Sequence, residues 1–220
     1  VFNGEKGLAC ALDSVIGQDY PNLEIIISDN ASTDTTSEIC ERYVLKDTRV
    51  KYSRFDKNLG AIENYNRVFN LSSGKYFMMA AHDDQREPSF VRVCVEKMEQ
   101  CPEAVLCQTH TAAFIEGRTE RLCVINLDSF EGLTGLVERY RETLKHFSAT
   151  AIYGLYRSSA VRKTRRFEKA IATDLAFIQE LSIHGNFVQV PKVLFSYFGR
   201  EKWNTIHQDY KVFLGKDRKP

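Results

Sequence analysis

Over its first hundred residues the chain alternates short apolar runs with amphipathic, helix-period segments, and this alternation constrains the fold more than any other feature. Residues 5–18 place Leu8, Leu12, Val15 and Ile16 on one helical face. Tyr20-Pro21-Asn22 breaks the chain, and Leu23 to Ile27 reads as a buried strand. Asp29 to Thr36 is a loop in which Thr33 or Asp34 can cap a helix running to about 46. Val50 to Phe55 is a second strand. Asn58-Leu59-Gly60 then turns into a helix with Ala61, Tyr65, Val68, Phe69 and Leu71 as its buried positions. Lys75 to Ala81 is a third strand that runs into His82-Asp83-Asp84. Pro88 opens a helix to about 100, and Ala104 to Cys107 is a fourth strand. Strands alternating with helices call for a mostly parallel sheet covered on both faces.

The second half is less regular. Ala113 to Asp128 reads as a strand, a turn at Gly117 and another strand. Helical patterns cover about 134–146 and 173–184, with a strand from Ile152 to Tyr156 between them. Phe187 to Tyr197 has β composition broken at Pro191. No repeat or linker divides the 220 residues, so one domain is the simplest organisation. Its opening, Val1-Phe2-Asn3-Gly4-Glu5, reads as the interior of something longer, with a further strand expected upstream.

Composition removes several classes of function. Thirty Lys+Arg against 29 Asp+Glu leave a net charge of +1, which offers no electrostatic case for nucleic acid as a partner. No apolar run approaches the roughly 18 residues of a membrane span. The six cysteines (Cys10, Cys40, Cys94, Cys101, Cys107, Cys123) form no C-x-x-C pair and sit among apolar neighbours. That spacing suits reduced core thiols of a cytosolic protein better than zinc or a disulfide framework.

In open α/β sheets, ligands bind outside the carboxyl ends of the strands. Asp29 and Asp83-Asp84 both fall at such ends. Asp83 and Asp84 offer oxygen ligands suited to Mg2+ or Mn2+, and equally a cap for the helix near Pro88. Asp29, with Asn30, can accept from a base or a ribose hydroxyl, or can form an Asx turn. Asp174, in Thr173-Asp174-Leu175, can serve as a general base or simply favour a helix dipole. Arg162-Lys163-Thr164-Arg165-Arg166 reads as a solvated face that could also meet a diphosphate or an anionic membrane. The five histidines share no ligand spacing. Dinucleotide and P-loop fingerprints are both absent from the sequence.

These residues together resemble family 2 glycosyltransferases, the inverting GT-A type. Asn3-Gly4-Glu5 is similar to the end of that family's opening Tyr-Asn-x-x segment. Ser14 to Thr36, through Tyr20-Pro21-Asn22 and Ser28-Asp29-Asn30-Ala31-Ser32-Thr33-Asp34, is close to its signature. Asn58-Leu59-Gly60, Asn66 and Gly74-Lys75-Tyr76 fall at its intervals, and His82-Asp83-Asp84 occupies its D-x-D region. Tyr153 to Arg157, Thr173-Asp174-Leu175 with Gln179-Glu180-Leu181, and Val190 to Phe195 resemble a branch with histidine before its two aspartates. The likeness covers about residues 1–200.

The resemblance implies a GT-A fold, with about 1–110 as the nucleotide-sugar half and about 111–220 as the acceptor and catalytic half. It implies donor contacts from Asn3, Asp29 (to the base) and Asp83. It places Mn2+ or Mg2+ on Asp83 and Asp84, and makes Asp174 the base that deprotonates the acceptor hydroxyl. The expected reaction moves a sugar from a nucleoside-diphosphate sugar to a glycan or lipid-linked acceptor with inversion, in polysaccharide or glycoconjugate assembly. The expected location is the cytoplasm, peripheral at the inner membrane face. Three features depart from the family pattern. Its first strand would lie upstream of Val1. Ala81 stands where many members carry the first aspartate of D-x-D. Phe198 to Trp203 departs from a usual Arg-x-His, leaving Arg200 and Lys202 as substitutes. Those departures keep open a degenerate module that binds nucleotide or glycan without turnover. A nucleotidyltransferase would want a glycine-rich basic loop, which Asn3-Gly4-Glu5-Lys6-Gly7 matches poorly.

Overall fold

A computed structural model describes residues 1–115, 120–126, 130–145, 149–170 and 172–199. Its order is α1 (Leu8–Ile16), β1 (Ile25–Asp29), α2 (Thr36–Lys46), β2 (Val50–Arg54), α3 (Ala61–Leu71), β3 (Tyr76–Met78), β4 (Gln85–Arg86) and α4 (Phe90–Gln100). There follow β5 (Ala104–Ile115), β6 (Arg121–Ile125), α5 (Leu136–Lys145), a 3-10 turn (Ala149–Tyr153), β7 (Leu155–Arg157), α6 (Ser158–Val161), α7 (Thr173–Ile183) and β8 (Asn186–Gly199).

The first half follows the sequence pattern closely. Asp29 closes β1 instead of following it, and Asp34 accepts the Thr36 amide at the start of α2 (3.0 Å). In α3, Phe69 is buried and Ile62, Tyr65 and Val68 pack beside it, whereas Ala61 and Leu71 face solvent. The third strand is shorter than expected. It ends at Met78, and Ala80-Ala81 belong to the turn that leads to the aspartates.

The sheet is mixed where a mostly parallel one was expected. β1 pairs β2 in parallel, and β5 pairs β8 in parallel. β3–β7, β5–β7, β5–β6 and β4–β8 are antiparallel. The cause is local. Parallel neighbours need a crossover, which α2 and α7 supply, but β7 follows only a 3-10 turn and β6 returns directly along β5. β1 and β2 form one sheet; the other runs β3-β7-β5-β8-β4, with β6 on β5.

Side-chain alternation divides the core. Phe77, Leu106 and Tyr156 face a cluster with Phe69 of α3 and Phe177 and Leu181 of α7. Cys107, Leu155 and Phe195 face Phe90, Cys94 and Met98 of α4. Leu8, Leu12 and Val15 of α1 join Ile25, Ile27, Ile39 and Val50 in a third cluster. Cys40, Cys94 and Cys107 lie in these cores, Cys101 is half-buried, and Cys10 and Cys123 are exposed.

Three expectations from the fourth strand onward are corrected. The fourth strand does not end at Cys107 but continues to Ile115, so Ala113 lies inside it. Pro191 does not break β8, because the parallel register to β5 jumps from Thr109–Val190 to His110–Val193. A bulge absorbs the missing proline N–H while the strand continues. The expected strand at Ile152 starts later, at Leu155. Gly117, Asp128, His146, Arg200, Lys202 and His207 lie outside the described residues.

Candidate active site

The Asp29 loop is built by its own carboxylate. Asp29 is fully buried. Its Oδ1 accepts from the Ser32 amide (2.8 Å) and the Ser32 hydroxyl (2.6 Å). Its Oδ2 accepts from the Tyr52 hydroxyl (3.0 Å) and lies 3.4 Å from Arg54 Nε. Burial and the Asp29 carboxylate together hold the Tyr52 phenol well above its ordinary value. Asn30 donates to Asn58 Oδ1 (2.8 Å) and accepts from the Leu59 amide (2.9 Å), which ties the loop to the start of α3. Ala31 takes a left-handed φ of 61° to complete the turn.

Asn3 braces this loop from the other side. Its amide donates to Ser32 Oγ (2.9 Å), and its Oδ1 accepts the Thr33 amide (2.8 Å). Gly4 N then donates to Thr36 Oγ1 (2.8 Å). The same segment packs on the aspartate turn. A Cβ on Gly4 would lie 2.8 Å from the His82 ring, and one on Gly7 would lie 2.9 Å from the His82 carbonyl and 3.1 Å from Asp83 Cα. Glycine is required there for close approach.

In that turn, His82, Asp83 and Asp84 point to different fates. Asp83 leaves 37% of its side chain exposed, with His82 Nδ1 3.8 Å from its Oδ1. Asp84 is buried; its Oδ1 accepts the Phe198 amide (3.0 Å), and its Oδ2 has no hydrogen-bond partner among the described residues. Burial pushes its carboxyl up to about 7, against the pull of the Phe198 amide, and the neighbouring Asp83 charge adds to the rise. Arg86, also buried, donates through Nη2 to the Met79 carbonyl (2.7 Å) and the Tyr153 carbonyl (3.2 Å). Its guanidinium lies over Phe195 and Phe90, and burial lowers it to about 10. One accessible carboxylate, backed by an under-satisfied buried one, is an oxygen donor set that fits a hard divalent cation sharing ligands with a diphosphate.

Asp174 stands in the first turn of α7, half-buried, its Oδ1 accepting the Leu175 amide (2.9 Å). The residue before the helix, Ala172, is held at φ 52°. Tyr65 lies within electrostatic range of both Asp174 and the aspartate turn. Burial raises its phenol, and the charges of Asp83, Asp84 and Asp174 all add to that rise. Three carboxylates, from the turn between β3 and β4 and from α7, therefore lie within electrostatic range of one phenol of α3. Tyr153 and Tyr197 feel Asp84 as well.

Tyr65 and Arg86 were not singled out from the sequence as site residues. Tyr65 occupies a helix-core position, and its hydroxyl carries no periodic signal. Arg86 is a charge whose burial follows from β4–β8 pairing, visible only once Phe195 is in place. The basic run packs against α3: Arg162 and Arg166 lie over Phe69, while Arg165 pairs with Glu168 and Glu180.

A layered α/β arrangement of this order is the GT-A fold of glycosyltransferases, and comparison with solved structures bears the fold out. S. aureus TarS in complex with UDP-GlcNAc superposes with a TM-score of 0.72 at 19% identity, over 91% of this chain and 57% of that one. The mannosyltransferase PcManGT from Pyrobaculum calidifontis, in complex with GDP-Man and Mn2+, gives 0.67 at 14% identity, over 94% and 57%. The model of the family described as glycosyl transferase family 2 matches residues 1–165, and the chain belongs to that family. WcaA of Escherichia coli strain K12, assigned as a colanic acid biosynthesis glycosyl transferase, is 36% identical over 101 residues, 45% of this chain and 36% of WcaA. The chain spans about a third of the length of the curated relatives it matches.

Proposed function

We propose that this chain carries the transfer site of an inverting glycosyltransferase that moves a sugar from a nucleoside-diphosphate donor to an acceptor hydroxyl. That Asp83, Asp84 and Asp174 all act electrostatically on the Tyr65 phenol is the observation that carries the reading. It brings an acidic donor-side turn and a separate candidate base into one electrostatic neighbourhood, as displacement at an anomeric carbon requires. Asp174 takes the proton of the acceptor hydroxyl. The Asp29 loop, braced by Asn3, forms the wall for the base, with Asp29 acting through the loop it holds rather than through a free oxygen. A divalent cation, Mn2+ or Mg2+, would be held by Asp83 with Asp84 behind it and would neutralise charge on the departing diphosphate.

Likeness to TarS and PcManGT supports a UDP- or GDP-sugar as donor. The assignment of WcaA supports polysaccharide or glycoconjugate assembly. A cytoplasmic site at the inner membrane face suits the exposed Arg162–Lys163 surface and a lipid-linked acceptor. Among the described residues no helix is long and apolar enough to cross a membrane.

A module that binds without turnover is the second reading. Ala81 removes one carboxylate from the turn, and among the described residues no group of three metal-ligating side chains assembles. Kinetics of Asp174→Asn separate the two. With the base removed, turnover falls about 10²–10⁴-fold while donor affinity by calorimetry stays within about twofold. Unchanged turnover rejects Asp174 as the base; absence of turnover in the parent chain, with UDP or GDP still bound, favours the module.

A further inference from the structure

The segment between α6 and α7 lies along α3, and three side chains of α3, each about one turn from the next, hold it. Glu63 Oε1 lies 3.5 Å from Lys169 Nζ. Asn66 Nδ2 donates to the Phe167 carbonyl (2.8 Å), and Asn66 Oδ1 accepts the Phe167 amide (3.3 Å). Asn70 Oδ1 accepts from the Arg166 guanidinium. Numbers fall along the segment as they rise along the helix, so the two run antiparallel.

The outer two contacts are exposed to solvent, where such pairs contribute little. Asn66 is different. It is half-buried, and its partner Phe167 is buried between exposed stretches of the segment. A buried loop residue has no ladder for its amide and carbonyl, and leaving either unpaired costs about 1–3 kcal/mol. The asparagine side chain carries a donor and an acceptor together, so it serves both groups as a neighbouring strand would. Aspartate lacks the donor, and alanine lacks both.

What Asn66 holds in place is a spacer. The Phe167 ring packs against Tyr65 of α3 (centroids 5.4 Å apart) and against Phe177 of α7 (5.0 Å). Phe177 follows Asp174 by three residues, so both stand on one side of α7. The segment is tied to α7 as well, because the Arg165 amide donates to Glu180 Oε2 (2.9 Å).

We infer that Asn66 is a positioning residue for Asp174: by fixing Phe167 between α3 and α7, it sets where the Asp174 carboxylate stands. This role rests on the transfer function proposed above. Asn66 acts through Asp174 alone. A displacement of about 1 Å at a reacting group can cost about 10²-fold in rate, while binding of the donor, which uses other elements, is unaffected.

The test is a double-mutant cycle, with turnover and Mn2+-dependent binding of UDP and GDP measured for each chain. Asn66→Ala lowers kcat about 10–10²-fold, while donor KM and nucleotide affinity stay within about twofold. In the Asp174→Asn background the same substitution changes residual turnover less than about twofold, because the base it positions is gone. Asn66→Asp, of nearly the same size, does not restore kcat. Independently of activity, hydrogen exchange at the Phe167 amide speeds at least about tenfold in Asn66→Ala. Should that variant fold poorly, Phe167→Leu removes the spacer with Asn66 intact and gives the same selective loss of kcat. Equal losses of kcat in both backgrounds, a raised donor KM at constant kcat, or unchanged exchange at Phe167 overturns the proposal. No turnover in the parent chain overturns the transfer function itself, and this role with it.

Discussion

The Asp29 loop and the Asp83–Asp84 turn both place carboxylates at the end of a buried strand, and they handle burial in opposite ways. Asp29 is surrounded by donors: the Ser32 amide and hydroxyl, the Tyr52 phenol and, at longer range, Arg54. Asp84 receives one backbone amide and leaves an oxygen without a partner among the described residues, while Asp83 stays open to solvent. A carboxylate whose acceptor capacity is used internally builds the fold. One left open or under-satisfied keeps acceptor capacity that the fold does not use. Position at a strand end does not separate these cases; the donors around the oxygens do.

Asp29→Ala gives the largest effect. It strips a buried acceptor from Ser32 and Tyr52 and costs about 3–5 kcal/mol in urea denaturation. A loss below about 1 kcal/mol would mean the loop does not depend on its carboxylate, and the contrast fails. Asp83→Ala is the mirror case. Metal-dependent affinity for UDP or GDP drops about tenfold or more, close to 1.4 kcal/mol, while folding stability stays within about 0.5 kcal/mol. Tyr52→Phe sharpens the Asp29 side, removing one donor from Oδ2 at a cost of about 1 kcal/mol.

The smallest effect concerns Val1. Its folded pKa lies below the unfolded value of 8.0, so between the two the unfolded chain holds more protons. The stability of chain 1–220 therefore rises as pH climbs through that window and levels off above about 8. Acetylating the terminus abolishes the rise. A pH-independent stability in the unacetylated chain would mean the ammonium is effectively solvated.

Much of the first half was legible because burial of strand and helix faces writes itself into local periodicity. Residues 8–16, 25–29 and 90–100 fall within a few positions of the expected elements. What escaped depended on partners far along the chain. The turn at Asp29 is local, through Ser32, but its closure by Tyr52 spans 23 residues. Arg86 is buried because β4 pairs with β8, more than a hundred residues later, and no nearby pattern announces it. Pro191 looked like a break because proline costs one N–H, yet a ladder as long as β5–β8 tolerates one bulge.

The hydrogen bond from Phe198 to Asp84 also sets the order in which the molecule can mature during translation. Residues 1–165 hold the family match and the aspartates of both strand-end turns, but among the described residues β4 has no partner strand until β8 has been synthesised. A nascent chain emerging from the ribosome can therefore close the Asp29 loop early, through contacts within its first 55 residues, and cannot fix the Asp83–Asp84 turn until residue 198 is free to pair. Acidic groups that would attract cations acquire their final arrangement last, when the scaffold that disciplines them is already in place.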